Sequence, residues 1–223
     1  MENTKSIALR SREKIRAGIV ELFWIFLIGC VVGTLWEELL TLIVDHKLES
    51  RAGLVYGPFN PVYGVGAVAM TLCLMPISDR PSGVILLVGA LIGGGFEYIC
   101  SFVQETCFGT ISWDYSSMPL NINGRTTVPY MLFWGVAGLL WVRLLPALLN
   151  AISRIPHLRF LSIALAVFMV FNIAVSAMAG ARAEERRAGI APVGKIDSIM
   201  DSRFPDERMA RLYPNAVSVE PAA

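Results

Sequence analysis

The sequence predicts an all-α, polytopic helical membrane protein of about five transmembrane helices, and three observations predict it. The 223 residues are 55% hydrophobic and 17% charged, with a mean hydropathy of +0.58, too apolar for an ordinary soluble domain of this size. The apolar residues come in runs of about 20, the length that crosses roughly 30 Å of hydrocarbon as a helix. A Gly- and Pro-rich stretch near residues 51–64 interrupts those runs and reads as a re-entrant or irregular segment.

Residues 1–17 carry Lys5, Arg10, Arg12, Lys14 and Arg16 and read as a basic cytoplasmic segment. The following apolar run is longer than a signal-peptide core and lacks a small-residue cleavage site, so it is expected to stay as span one, residues 19–44. This span carries Glu21 near its basic end and Glu37 and Glu38 near its far end. The stretch RAGLVYGPFNPVYGVG that follows Ser50 cannot be helical throughout, because its prolines and glycines break the ladder. Irregular backbone at this depth needs cover from protein or a wet cavity.

Span two is expected over 61–77 and span three over 83–108, joined by the turn Ser78-Asp79-Arg80-Pro81. Gly89 and Gly93 make a GxxxG spacing that lets a neighbouring helix approach closely. Farther along span three, Glu97, Ser101 and Glu105 fall on one face. Spans four and five are placed at 128–149 and 160–181, the latter with Asn172 as its main polar residue. Together residues 18–181 form the transmembrane domain. Residues 182–223 form a polar tail with seven basic and seven acidic residues, able to dock on that domain.

Composition also excludes function classes. A net charge of +1 leaves no basic footprint for nucleic acid. The four cysteines lie in or beside apolar runs, and no Cys/His cluster offers a zinc site, so no metal and no cofactor is expected. There is no GxSxG, no HExxH and no GxxxxGK[ST] phosphate loop, so the chain is not an ATPase by itself. His46 and His157 fall on opposite membrane sides.

The chemistry-bearing residues gather in two irregular segments expected on the outer face. One contributes Tyr56, Asn60 and Tyr63; the other contributes Trp113, Asp114, Tyr115, Asn121, Asn123 and Arg125. Glu37, Glu97 and Glu105 reach the same level. Ionised carboxylates there must pair, take a proton or line water. One reading is a polar cavity for a cationic or hydroxyl-rich ligand, or for proton exchange. The other is structural: Arg125 pairs with Asp114 or Glu105, Trp113 and Tyr115 belong to an aromatic interface belt, and Asn123-Gly124 makes a turn. The two segments, 51–60 and 109–125, are expected to pack on each other.

YGPFNPVYGVG, the QET and WDYS pattern, and NINGR together resemble the ABC transporter permease family of the type IV, CmpB-like group. The likeness runs from about Trp36 to Arg125 and continues more weakly in FPDERM and YPN of the tail. It marks Tyr56, Gly57, Pro58, Pro61, Tyr63 and Gly64, then Glu105, Trp113, Asp114, Tyr115, Asn121, Asn123, Gly124 and Arg125 as signature residues. The resemblance implies a permease-like component of the bacterial inner membrane, in the lipid bilayer, working with a separate ATPase subunit. Assembly as a homo-oligomer is expected beside it. The alternative from the residues alone is a membrane-embedded enzyme or binding protein for lipid or envelope material, with Asp114 and Glu105 as acid and base.

Overall fold

The computed structural model describes residues 17–214 and 217–218; the basic segment 1–16 and the chain end after Ser218 lie outside the described residues. Among the described residues, 72% are helical, in seven α-helices, with almost no strand. The helices are α1 (Ile19–Val44), α2 (Pro61–Leu74, continued by a 3-10 turn Met75–Ile77), α3 (Ser82–Phe108), α4 (Val128–Ser153), α5 (Leu158–Arg187), α6 (Lys195–Arg203) and α7 (Asp206–Leu212). Four of them, α1, α3, α4 and α5, are long and apolar enough to cross a membrane, and α2 with its 3-10 turn forms a shorter apolar helix. The protein is a multi-pass membrane protein.

Local chemistry sets the helix ends. Pro61 occupies the first turn of α2, and the Asn60 side chain accepts a hydrogen bond from Val62 N–H, so the helix starts where donors would otherwise be orphaned. Gly109 closes α3 in the left-handed conformation (φ +58°), its N–H bonded to Glu105 O at 2.9 Å. Helix α5 continues six residues past 181, the expected end of span five. The reason is electrostatic: Arg182 and Arg186 pair with Asp201 and Asp206 of the tail, and Glu185 and Glu184 pair with Arg182 and Arg187. The charged end therefore continues the helix instead of breaking it.

Small residues bring the spans together in pairs. A side chain at Gly33 would collide with the Tyr63 ring, and one at Gly29 with α2 at Ala67 and Gly64, so α1 and α2 pack backbone to backbone. Gly89 meets Gly135 and Gly93 lies under Trp134, which joins α3 to α4 through the expected GxxxG face. Buried Ile25, Leu145 and Ile152 tie α1 to α4, while Trp24 donates to Ser162 Oγ of α5 at 2.8 Å. Successive spans alternate in direction. One face of the bundle therefore carries segments 45–60 and 109–127 and the tail; the other carries the short connections 78–81 and 154–157.

The tail docks on the first of these faces. Met200, Phe204 and Met209 bury against Val55 and against Val175, Ala179 and Ala183 of α5. Two short antiparallel ladders complete the fold: β1 (Thr110–Ile111) pairs with β4 (Val217–Ser218), and β2 (Asn121–Ile122) with β3 (Thr126–Thr127).

Candidate functional site

The polar loop after α3 is a cross-braced cap. Its centre is the hairpin β2–β3, turned by Asn123 (φ 53°) and Gly124 (φ +68°) with Arg125 N–H donating to Ile122 O at 3.0 Å. Both turn residues have positive φ, the type I′ geometry that Asn-Gly favours. Residues 113–115 run alongside: Tyr115 N–H donates to Gly124 O at 2.7 Å, and the Trp113 indole N–H donates to Arg125 O at 2.9 Å. Asn121 ties the loop from inside, accepting from Gly124 N–H and donating to Met118 O. Asp114 makes a local turn, accepting from the backbone N–H and the hydroxyl of Ser116. Those two donors hold its carboxyl below the usual range.

From this cap two side chains reach down onto α3. Arg125 forms an ion pair with Glu105 at 2.5 Å and donates to Ser101 Oγ at 3.2 Å. Its guanidinium lies 5.8 Å from the Tyr98 ring centroid and 5.4 Å from that of Phe102. Tyr98 in turn accepts from Asn123 Nδ2 at 2.9 Å. Residues 98, 101, 102 and 105 share one helix face, so one arginine engages the whole stripe.

Glu97 lies two turns closer to the membrane centre and has a different environment. It accepts from Tyr115 OH at 3.0 Å and from Thr126 Oγ1 at 2.8 Å, with the Trp134 indole nearby. Both donors are neutral, so this carboxyl is held by dipoles, and no cation pairs with it among the described residues. The Tyr115 ring stacks on Tyr130 at 4.8 Å. Burial first, and then the neighbouring Glu97, push the Tyr115 hydroxyl well above its ordinary pKa, so it stays a donor.

The remaining candidate residues divide in two. Tyr63, its ring against Gly33, lies beside Glu37 and within electrostatic reach of Tyr115, which brings α1 and α2 to the edge of the cap. Tyr56 and Asn60 lie elsewhere. The amide of Asn172 grips Tyr56 twice, accepting from its N–H at 3.2 Å and donating to its carbonyl at 2.7 Å. The Tyr56 ring stacks on Phe171 and meets Phe204 edge-on. Asn60 caps α2 and donates to Arg51 O.

The expected packing of 51–60 against 109–125 takes a different form. Among the described residues no hydrogen bond joins the two segments. Instead Val55 buries into the tail, Ser176 Oγ accepts from Val55 N–H at 2.9 Å, and Tyr213 OH donates to Gly53 O at 3.3 Å. The physical reason is the apolar surface of Met200, Phe204 and Met209, which claims this loop first. Asn172 and Ser176, which grip this loop, and Thr126, which holds Glu97, were not among the expected site residues. A lone Asn in an apolar span was the available signal for the first.

A family model described as "Putative ABC-transporter type IV" matches residues 24–177, from Trp24 in α1 to Ala177 in α5. No curated protein and no solved structure matches the chain.

Proposed function

The chain belongs to this ABC-transporter type IV family, and on that premise we propose that it is a permease-like component that moves its substrate with a separate ATPase. The observation that carries the reading is the extent of the match, which takes in all four long apolar helices, at least in part, together with the entire cap. The chain has no nucleotide-binding motif, so hydrolysis would fall to the partner. Within the membrane domain, Glu97 and the Arg125–Glu105 pair beneath the cap are the polar groups that a substrate would meet. The acid–base alternative draws less support, because Asp114 is tied to Ser116 and Glu105 to Arg125.

In this reading the protein sits in the inner membrane with its N-terminus in the cytoplasm and the cap outside. The support is charge: Lys5, Arg10, Arg12, Lys14, Arg16, Arg80, Arg143, Arg154 and Arg159 lie on the N-terminal side. The loops on the other side carry only Lys47, Arg51 and Arg125, and the tail, 182–223, adds seven basic residues, of which Arg182, Arg186 and Arg187 sit against carboxylates. Affinity purification of the full chain from mild detergent, followed by mass spectrometry, tests the proposal. A co-purifying subunit with a phosphate-loop ATPase sequence is expected. Recovery with lipid-modifying enzymes and without any ATPase would refute it.

A further inference from the structure

Helix α6 is moored at a fixed height on the membrane domain. Arg182, only 3% exposed, donates to both carboxylate oxygens of Asp201, at 2.9 and 3.0 Å, and to Ile190 O at 3.1 Å. Arg182 follows directly on the apolar stretch of α5, so the linker and α6 are both pinned where hydrocarbon gives way to headgroups. The inner side of α6 is consumed by Met200 and, just after it, Phe204, packed on Ala179, Ala183 and Val55.

Its outer side carries aliphatic residues in a segment otherwise polar. Ile196 is 61% and Ile199 53% exposed, and the approach to the helix adds Val193 at 90% and Ile190 at 51%. Ile196, Ile199 and Arg203 follow i, i+3, i+7 and share one face, bordered by buried Met200 on one side and by Lys195 on the other. Neither Lys195 nor Arg203 has an ion pair among the described residues. The nearby acids are already engaged, Asp201 and Asp206 by Arg182 and Arg186, and Asp197 by Val193 N–H. On the face of Ile196 and Ile199, what is left outward is aliphatic and basic.

We infer that this face of α6 rests on the bilayer surface, with Ile196 and Ile199 in the headgroup boundary and Lys195 and Arg203 on anionic lipid headgroups. Three features favour lipid as the occupant: the height set by Arg182, direct continuity with a spanning helix, and charge of the sign that anionic lipid attracts. Long basic stems flanking aliphatics at an interface can lie along the apolar surface while their charges reach the headgroups.

The test uses the full chain with its native cysteines replaced and a nitroxide at Ile196→Cys or Ile199→Cys, with Glu207→Cys as the exposed tail reference. Each is reconstituted in phosphatidylcholine vesicles with or without phosphatidylglycerol, and the accessibility of the label to oxygen and to a water-soluble nickel complex is compared. Labels at 196 and 199 should favour oxygen where the label at 207 favours nickel, and phosphatidylglycerol should enlarge the difference. Lys195→Gln or Arg203→Gln should cut the lipid-docked to undocked ratio in anionic vesicles roughly fivefold. Equal nickel access at 196, 199 and 207 in both vesicle types would overturn the inference. Protection from both reagents would do the same, because it would mean that protein covers the face.

Discussion

Two irregular polar segments share one face of this membrane protein, and they are held in opposite ways. Residues 113–127 are held locally. Their hydrogen bonds reach no farther than the 29 positions from Thr126 to Glu97, and most stay within the loop. Residues 51–60 are held from far away in the chain. Tyr56 depends on Asn172, 116 positions on; Val55 depends on Ser176, 121 positions on; and Gly53 accepts from Tyr213, 160 positions on. A cap that braces itself can report on whatever lies beneath it. A loop braced by the tail shares the tail's fate.

The largest expected effect separates the two segments. Asn172→Leu removes both bonds to the Tyr56 backbone and orphans two polar groups, a cost of about 2–4 kcal/mol. Amide hydrogen exchange read by mass spectrometry should rise in 51–60 and in 195–214 while 113–127 stays protected. A rise in all three would break the distinction. Gly124→Ala is the converse experiment. Its φ of +68° disfavours a side chain, and the added Cβ would stand 2.7 Å from Asp114 Oδ1. A cost of about 1–2 kcal/mol is expected, with faster exchange confined to 113–127.

A smaller effect sharpens the role of the cap. Glu105→Gln weakens the hold on Arg125, and because the pair is partly open to water the stability change should be only about 0.5–1 kcal/mol. If the chain works with an ATPase as proposed, function should nevertheless suffer more than in Glu21→Gln, read as ATP hydrolysis by the purified complex. Equal effects would remove the cap from the working part of the molecule. The smallest effect is a pH response in the tail. The Arg182 guanidinium holds the Asp201 carboxyl below its ordinary value, so this pairing stabilises fully above that value and fades as the pH falls through the lowered one. Proteolysis of the tail should accelerate on the acid side of about pH 4, and Asp201→Asn should flatten that dependence.

The same contrast explains what the sequence disclosed. Asn123-Gly124, the one-face spacing of Ser101 and Glu105, and the start of span two at Pro61 are short-range signals, and each maps onto an observed turn, stripe or helix start. Arg125 found Glu105, one of the two partners foreseen for it. The docking of the tail was foreseen only in outline. No local rule says which backbone Asn172 will grip, or that Phe204 will reach Val55. The helix itself continues beyond the expected end of span five at 181, where Arg182 and Arg186 meet Asp201 and Asp206 of the returning tail.

Coupling between the cap region and an ATPase is tested most directly at Cys100, half-buried on α3 three residues beyond Glu97. In membranes holding the chain with its co-purified partner, and with Cys73 and Cys107 replaced by serine, its alkylation rate is compared during ATP turnover and with a non-hydrolysable analogue. A permease worked by that partner predicts different rates in the two states, and a loss of the difference in Glu105→Gln. Identical rates, with ATP hydrolysis proceeding, would contradict it.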